Sequence, residues 1–341
     1  MLLLVVILTS LMACSKSTTG KATAAKTKGY RLLSVEEASA YVIKDEKEQF
    51  FEKVAPLEMA IQMQQETVDL TREEQLSSYQ KMLQKDLMSF DAQEQEIVQK
   101  IMDKAQKMCF SIDPKLQIPE IVLIKTKGAY YGPSVFYTRD NAIVIPAPMI
   151  PQNKDAENTA FLRTMLHEIF HVFSRYNKLK RTALYQRIGF EQLPSLALSD
   201  FLKKRVLYNP DGVDLRYAIT VKDSSGRSFK AIPAIYSRYK SFKKEVPAFF
   251  SYLTFQLFEV GDRAGLWSVK NKTVGYSVED LSGFWEQIEK NTNYIIHPDE
   301  ICADNFVILA FSKLKNGKNL DELSEKGRAL VRDFERIIVG Q

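Results

Sequence analysis

The stretch from Thr164 to Phe173 reads TMLHEIFHVF and sets His167, Glu168 and His171 in the pattern HExxH. Residues four apart share one face of an α-helix, so the two imidazoles can ligate a single ion, and zinc is the natural occupant of such a pair. Glu168 projects beside that face, where a carboxylate can take a proton from water as the water attacks a carbonyl. The expected chemistry is metal-assisted hydrolysis.

A helix must carry this pattern, and the local sequence predicts one. Phe161, Leu162, Met165, Ile169, Phe170, Val172 and Phe173 are apolar, while glycine and proline lie outside the segment. That apolar set would bury the helix and leave the histidines facing a cleft. A third ligand is needed, and the remaining histidine, His297, stands in the run from Tyr294 to Phe306. His297 reads as a helix N-cap, with Pro298 at the first helical position and Asp299 and Glu300 in the first turn. Glu300 and Asp304 are then four apart on one face. Glu300 and His297 are both ligand candidates, and Asp304 is placed to hold a histidine ring N–H, that of His167.

His167, Glu168, His171, Glu300 and Asp304 together resemble the gluzincin zinc metallopeptidases, whose pattern is HExxH followed by ExxxD or ExxxE. In the thermolysin-like branch the glutamate follows the second histidine by about twenty positions, which makes Glu191 a further candidate. Its position four on is Ser195, however, and Pro194 would interrupt a ligand helix. The Glu300 segment resembles instead the ligand helix of anthrax-toxin-like gluzincins, where a proline precedes the glutamate and an alanine and an acid follow. The long interval from His171 to Glu300 leaves room for an inserted subdomain. The resemblance covers two short helices and implies a peptidase with zinc on His167, His171 and Glu300 and with Glu168 as general base. It also implies a Tyr or His that hydrogen-bonds the oxyanion, for which Tyr217 and His297 are candidates. Finally, it implies that an edge strand before the HExxH helix, residues 141–146, pairs with an extended peptide or protein substrate; a purely structural strand is the other reading.

The elements around this site are read from caps and periodicity. Ser34 with Glu37, Thr71 with Glu74 and Asp91 with Glu94 have capping-box spacing, so residues 30–115 are expected to form a helical subdomain. Phe50 to Ile61 and Ile97 to Met108 keep a helical apolar spacing. Residues 116–341 are expected to form the metallopeptidase-like domain, with short strands between 118 and 150. Further helical pieces are expected at 184–190 and 196–206, a turn at 209–212, and a hairpin over 217–236. Strand extensions are expected over 246–260 and 266–274, and helices over 281–288 and 320–338. The fold class expected is α+β with a small mixed or antiparallel sheet.

At the start of the chain, residues 1–13 form an apolar and small-residue run ending in LeuMetAlaCys at 11–14, which looks like the lipobox of bacterial lipoproteins. The run is too short to span a bilayer, so a signal peptide with lipidation at Cys14 is expected, a plain secretory signal being the alternative. Residues 14–29 carry Ser, Thr, Gly, Ala and four lysines. As a flexible tether they would reach roughly 20 Å from the membrane of a bacterial cell envelope. The hydrophobic fraction of 45% and charged fraction of 26% suit a globular chain. A net charge of +5 without an aromatic-interleaved basic patch gives no reason to expect a nucleic-acid partner. Cys109 and Cys302 could pair or stay buried in an exported protein. The rival to a peptidase is a binding lipoprotein of an uptake complex that keeps a metal site without hydrolysis.

Overall fold

Three capping boxes start three of the N-terminal helices. The side chains of Ser34, Thr71 and Asp91 each accept a hydrogen bond from the backbone N–H three residues on, and Glu37, Glu74 and Glu94 return one. In this computed structural model the helices are α1 (Val35–Tyr41), α2 (Phe50–Lys53), α3 (Pro56–Met63), α4 (Arg72–Lys85) and α5 (Ala92–Ile112). The apolar spacing from Phe50 to Ile61 does not make one helix, because Pro56 has no N–H to donate and sits instead at the first position of α3. The structure describes residues 29–340 apart from 68, 154–156, 247, 271–272 and 315–316; the leader, Cys14 and the tether up to residue 28 lie outside the described residues.

A mixed sheet follows from β1 (Tyr30–Leu32), β2 (Leu87–Met88), β3 (Ile121–Thr126), β4 (Tyr137–Arg139) and β5 (Ala142–Pro146). Its order is β1-β3-β5-β4, with β1, β3 and β5 parallel and β4 antiparallel to β5, while β2 pairs with β3. Residues 141–146 are therefore not an edge strand, which corrects the expectation that they pair with substrate. Asp140, at φ 48°, turns the chain so that β4 folds back and occupies the free side of β5. On this side the edge of the sheet is β4.

The second half holds α6 (Thr159–Tyr176), α7 (Lys178–Arg187), β6 (Phe190–Gln192), α8 (Asp200–Lys203), β7 (Tyr217–Lys222), β8 (Ser228–Ser237), β9 (Leu253–Arg263) and β10 (Leu266–Val269), then α9 (Phe284–Ile288), α10 (Pro298–Leu314) and α11 (Glu325–Val339). The strands form an antiparallel sheet in the order β10-β9-β8-β7-β6. The helix expected over 196–206 shrinks to α8. Ala197 gives its backbone to this sheet, donating to Trp267 O at 2.8 Å and accepting from Val269 N at 3.1 Å.

Helix α6 is held on most of its circumference. Phe161, Leu162, Met165, Leu166, Ile169, Phe170, Val172 and Phe173 are all buried, and full burial of such a side chain stabilises by about 1.5–3 kcal/mol. Phe170 and Phe173 meet Phe306 of α10 at 5.4 and 6.4 Å between ring centroids. This contact fixes the spacing of the two helices that carry the site. The same apolar cluster includes Tyr30 and Ile101 of the N-terminal segment and Phe334 of α11, so packing runs across residue 115. Among the described residues no helix is long and apolar enough to cross a membrane.

Candidate metal centre

Helices α6 and α10 face each other with their histidines and acids interleaved. His167 Nε2 lies 2.8 Å from Glu300 Oε2, and His171 Nε2 lies 3.4 Å from the same oxygen. The other ring nitrogens are held by carboxylates: His167 Nδ1 by Asp304 at 3.0 Å and His171 Nδ1 by Asp299 at 2.6 Å. Fixing each Nδ1 sets the ring orientation and directs both Nε2 atoms at one point. His167, His171 and Glu300 form a group that could hold a metal ion, their ligand atoms lying within 4.8 Å of one another.

The carboxylates are themselves braced. Asp299 accepts from Ser174 Oγ at 2.6 Å and from the Tyr185 hydroxyl at 2.7 Å, and Asp304 accepts from Thr292 Oγ1. Asn209 Nδ2 donates to Glu300 Oε1 at 2.5 Å, leaving Oε2 to the histidines.

Burial disfavours charge on His167, but hydrogen bonds to Asp304 and Glu300 outweigh it and push the imidazole up to about 10. His171 is raised in the same way against its own burial, through Glu300, Asp211 and Asp299. Glu300 is held well below the usual carboxylate range because the two histidines overcome its burial. Without an ion, protons supply the positive charge that these acids require, and a bound cation would displace them.

Glu168 lines the same cleft and is 4% exposed, yet its Oε2 has no hydrogen-bond partner among the described residues. Burial, then the nearby Asp211 carboxylate, push it up to about 8. A divalent ion beside it would favour the carboxylate form.

Sequence reasoning missed four groups. Asp299, by its position a first-turn acid, braces His171. Asn209 and Asp211 come from the 209–212 turn and reach the centre from a third direction. Tyr294 lines the cleft and stacks on His167, at 5.8 Å between centroids and 23° between planes. The acids and tyrosine stood in or beside motifs already singled out, but only tertiary contact gives them their positions.

Tyr217 and His297 are not among the residues lining the cleft. Tyr217, on β7, turns inward against Tyr185 and His297, with centroids at 4.7 and 6.4 Å. His297 is an N-cap: its Nδ1 accepts from Asp299 N at 3.1 Å and its Nε2 lies 3.2 Å from Asp214 O. Both of its ring nitrogens thus face groups outside the cleft. Glu191 sits on β6, paired with Lys230 and outside the metal group. Cys109 and Cys302 are buried and free. Comparison of the chain with protein-family models, curated proteins and solved structures gives no match. The chain is α+β, with a His/His/Glu group that could hold a metal ion.

Proposed function

We propose that the chain is a zinc-dependent peptidase. The observation that carries this reading is the pairing of a nitrogen-rich, carboxylate-braced ligand group with Glu168, a buried acid whose Oε2 has no partner among the described residues. Two imidazoles and one carboxylate suit zinc and leave the open position that a catalytic site keeps. When bound, zinc supplies Lewis acidity toward water and a peptide carbonyl.

Glu168 takes the proton from the attacking water and returns it to the departing amide nitrogen. The C–N bond breaks, one water is consumed, and an acid and an amine are released. Tyr294, in place of Tyr217 or His297, donates to the oxygen on which negative charge develops. The charges of Glu300 and then burial hold its phenol well above the ordinary range, so it keeps its proton. The LeuMetAlaCys run supports attachment to a bacterial envelope through Cys14, and Cys14→Ser is then expected to move the protein from the membrane to the soluble fraction.

The test is zinc stoichiometry and turnover of a broad peptide library, on the parent and on Glu168→Gln. Zinc is expected in both, with hydrolysis lowered about 10² to 10⁴-fold in the variant. Equal background cleavage in both, with zinc bound, would contradict the peptidase and leave a metal-holding binding protein.

A further inference from the structure

We infer that Asp211 binds the free α-ammonium group of a peptide, making the enzyme an aminopeptidase for chains that begin with an apolar residue; the inference rests on the peptidase reading. Asp211 is fixed from one side only. Its Oδ1 accepts from Thr138 N at 2.6 Å and from Thr138 Oγ1, and Thr138 is braced in turn by Arg175 Nη2 at 2.9 Å. No donor meets Oδ2, and no ion pair reaches Asp211, among the described residues.

The position of this carboxylate decides which cation it fits. A ligand oxygen of Asp211 lies within 4.8 Å of those of Glu168 and His171, the groups between which a scissile carbonyl would be attacked. An α-ammonium nitrogen is two bonds from that carbonyl carbon, about 2.5 Å, whereas a lysine ammonium is six bonds away. The former is held within reach of Asp211 while the carbonyl is at Glu168, whereas a lysine side chain would have to fold back on itself to get there.

A second cavity supplies the place for the first side chain. It adjoins the metal cleft and shares Val135, Phe136, Asp211, Phe250 and Tyr294 with it. Beyond Asp211 it is lined by apolar groups such as Leu207, Ile235, Phe249 and Ile296. It encloses about 70 Å³ and opens into the cleft. A carboxylate at the junction of a hydrolytic cleft and an apolar cavity thus meets the ammonium and the side chain of one terminal residue.

The experiment compares a phenylalanine-initiated tetrapeptide, free or N-acetylated, on the zinc-loaded full chain, with products read by mass spectrometry. Release of phenylalanine alone is expected, with kcat/KM about 100-fold higher for the free peptide. In Asp211→Asn that preference should collapse, chiefly through KM. A second readout is calorimetry on zinc-loaded Glu168→Gln, which should bind the free peptide more tightly than the acetylated one. Internal cleavage of the acetylated peptide at a comparable rate, or a preference that survives Asp211→Asn, would overturn the inference while leaving a peptidase. If zinc is bound and neither peptide nor any library member is cleaved, the peptidase reading falls and takes this inference with it. Should Asp211→Asn fail to fold, the ratio measured on the parent decides alone.

Discussion

Two buried polar clusters in this chain invite comparison, because both confine charges that water would otherwise solvate. In the candidate metal centre, His167, His171 and Glu300 have their outer atoms held by Asp304, Asp299 and Asn209, and their inner atoms converge. In the second cluster, Glu58 is fully buried and accepts from Tyr208 N at 2.9 Å and Gln62 Nε2 at 3.1 Å. Arg139 stacks on Phe50 and Phe51, its guanidinium carbon 4.3 and 4.4 Å from the ring centroids, and its three nitrogens have no hydrogen-bond partner among the described residues. Among the described residues the second cluster contains no imidazole and is not one of the groups able to hold a metal. Burial alone therefore does not mark a site. What marks it is convergence: two imidazole nitrogens and a carboxylate oxygen, their outer atoms held, meet at one point.

The comparison can be broken most sharply by Glu300→Ala. Zinc should fall to background as it does in His167→Ala, whereas Glu58→Ala and Glu191→Ala should retain it; the check is stoichiometry by atomic emission. A smaller effect is expected from the acids behind the rings. Asp304→Ala and Asp299→Ala should each weaken zinc binding roughly 10 to 100-fold by competitive chelation. Asp299→Ala should also destabilise the fold by about 1–3 kcal/mol in denaturant titration, because the buried Ser174 and Tyr185 hydroxyls lose their acceptor.

The second cluster should respond to pH instead of metal. Burial pushes Glu58 from 4.5 up to about 8. The folded chain therefore holds this proton where the unfolded chain releases it. Its stabilising contribution is complete below the ordinary carboxylate range and is lost as pH rises through about 8, with a slope of at most ~1.4 kcal/mol per pH unit. Unfolding free energies of the parent and Glu58→Gln should differ in that slope; parallel profiles would show that Glu58 titrates normally. The smallest effect should come from Arg139→Met, a loss of about 1 kcal/mol from stacking with zinc content unchanged.

The parts of this account legible in the sequence are those set by helical spacing. His167 and His171, and Glu300 and Asp304, are four apart, and one turn of helix fixes their relation whatever the tertiary fold. The capping boxes were legible for the same reason. Asp211 and Asn209 were not, because a turn of four residues says nothing about which cleft it will border. Tyr217 illustrates the opposite failure. Many tyrosines were available, and only the register of β7 shows that this one faces Tyr185 and the core. The strand at 141–146 was correctly read as extended, but its neighbours depend on the β4 turn at Asp140.

The most direct measurement is anomalous diffraction at the zinc absorption edge from crystals of the full chain grown with zinc. A single peak is expected among His167 Nε2, His171 Nε2 and a Glu300 carboxylate oxygen, at about 2.0–2.2 Å from each, with Glu168 outside bonding distance. No peak there, or one ligated by Glu168 and Asp211 in place of Glu300, would contradict the account.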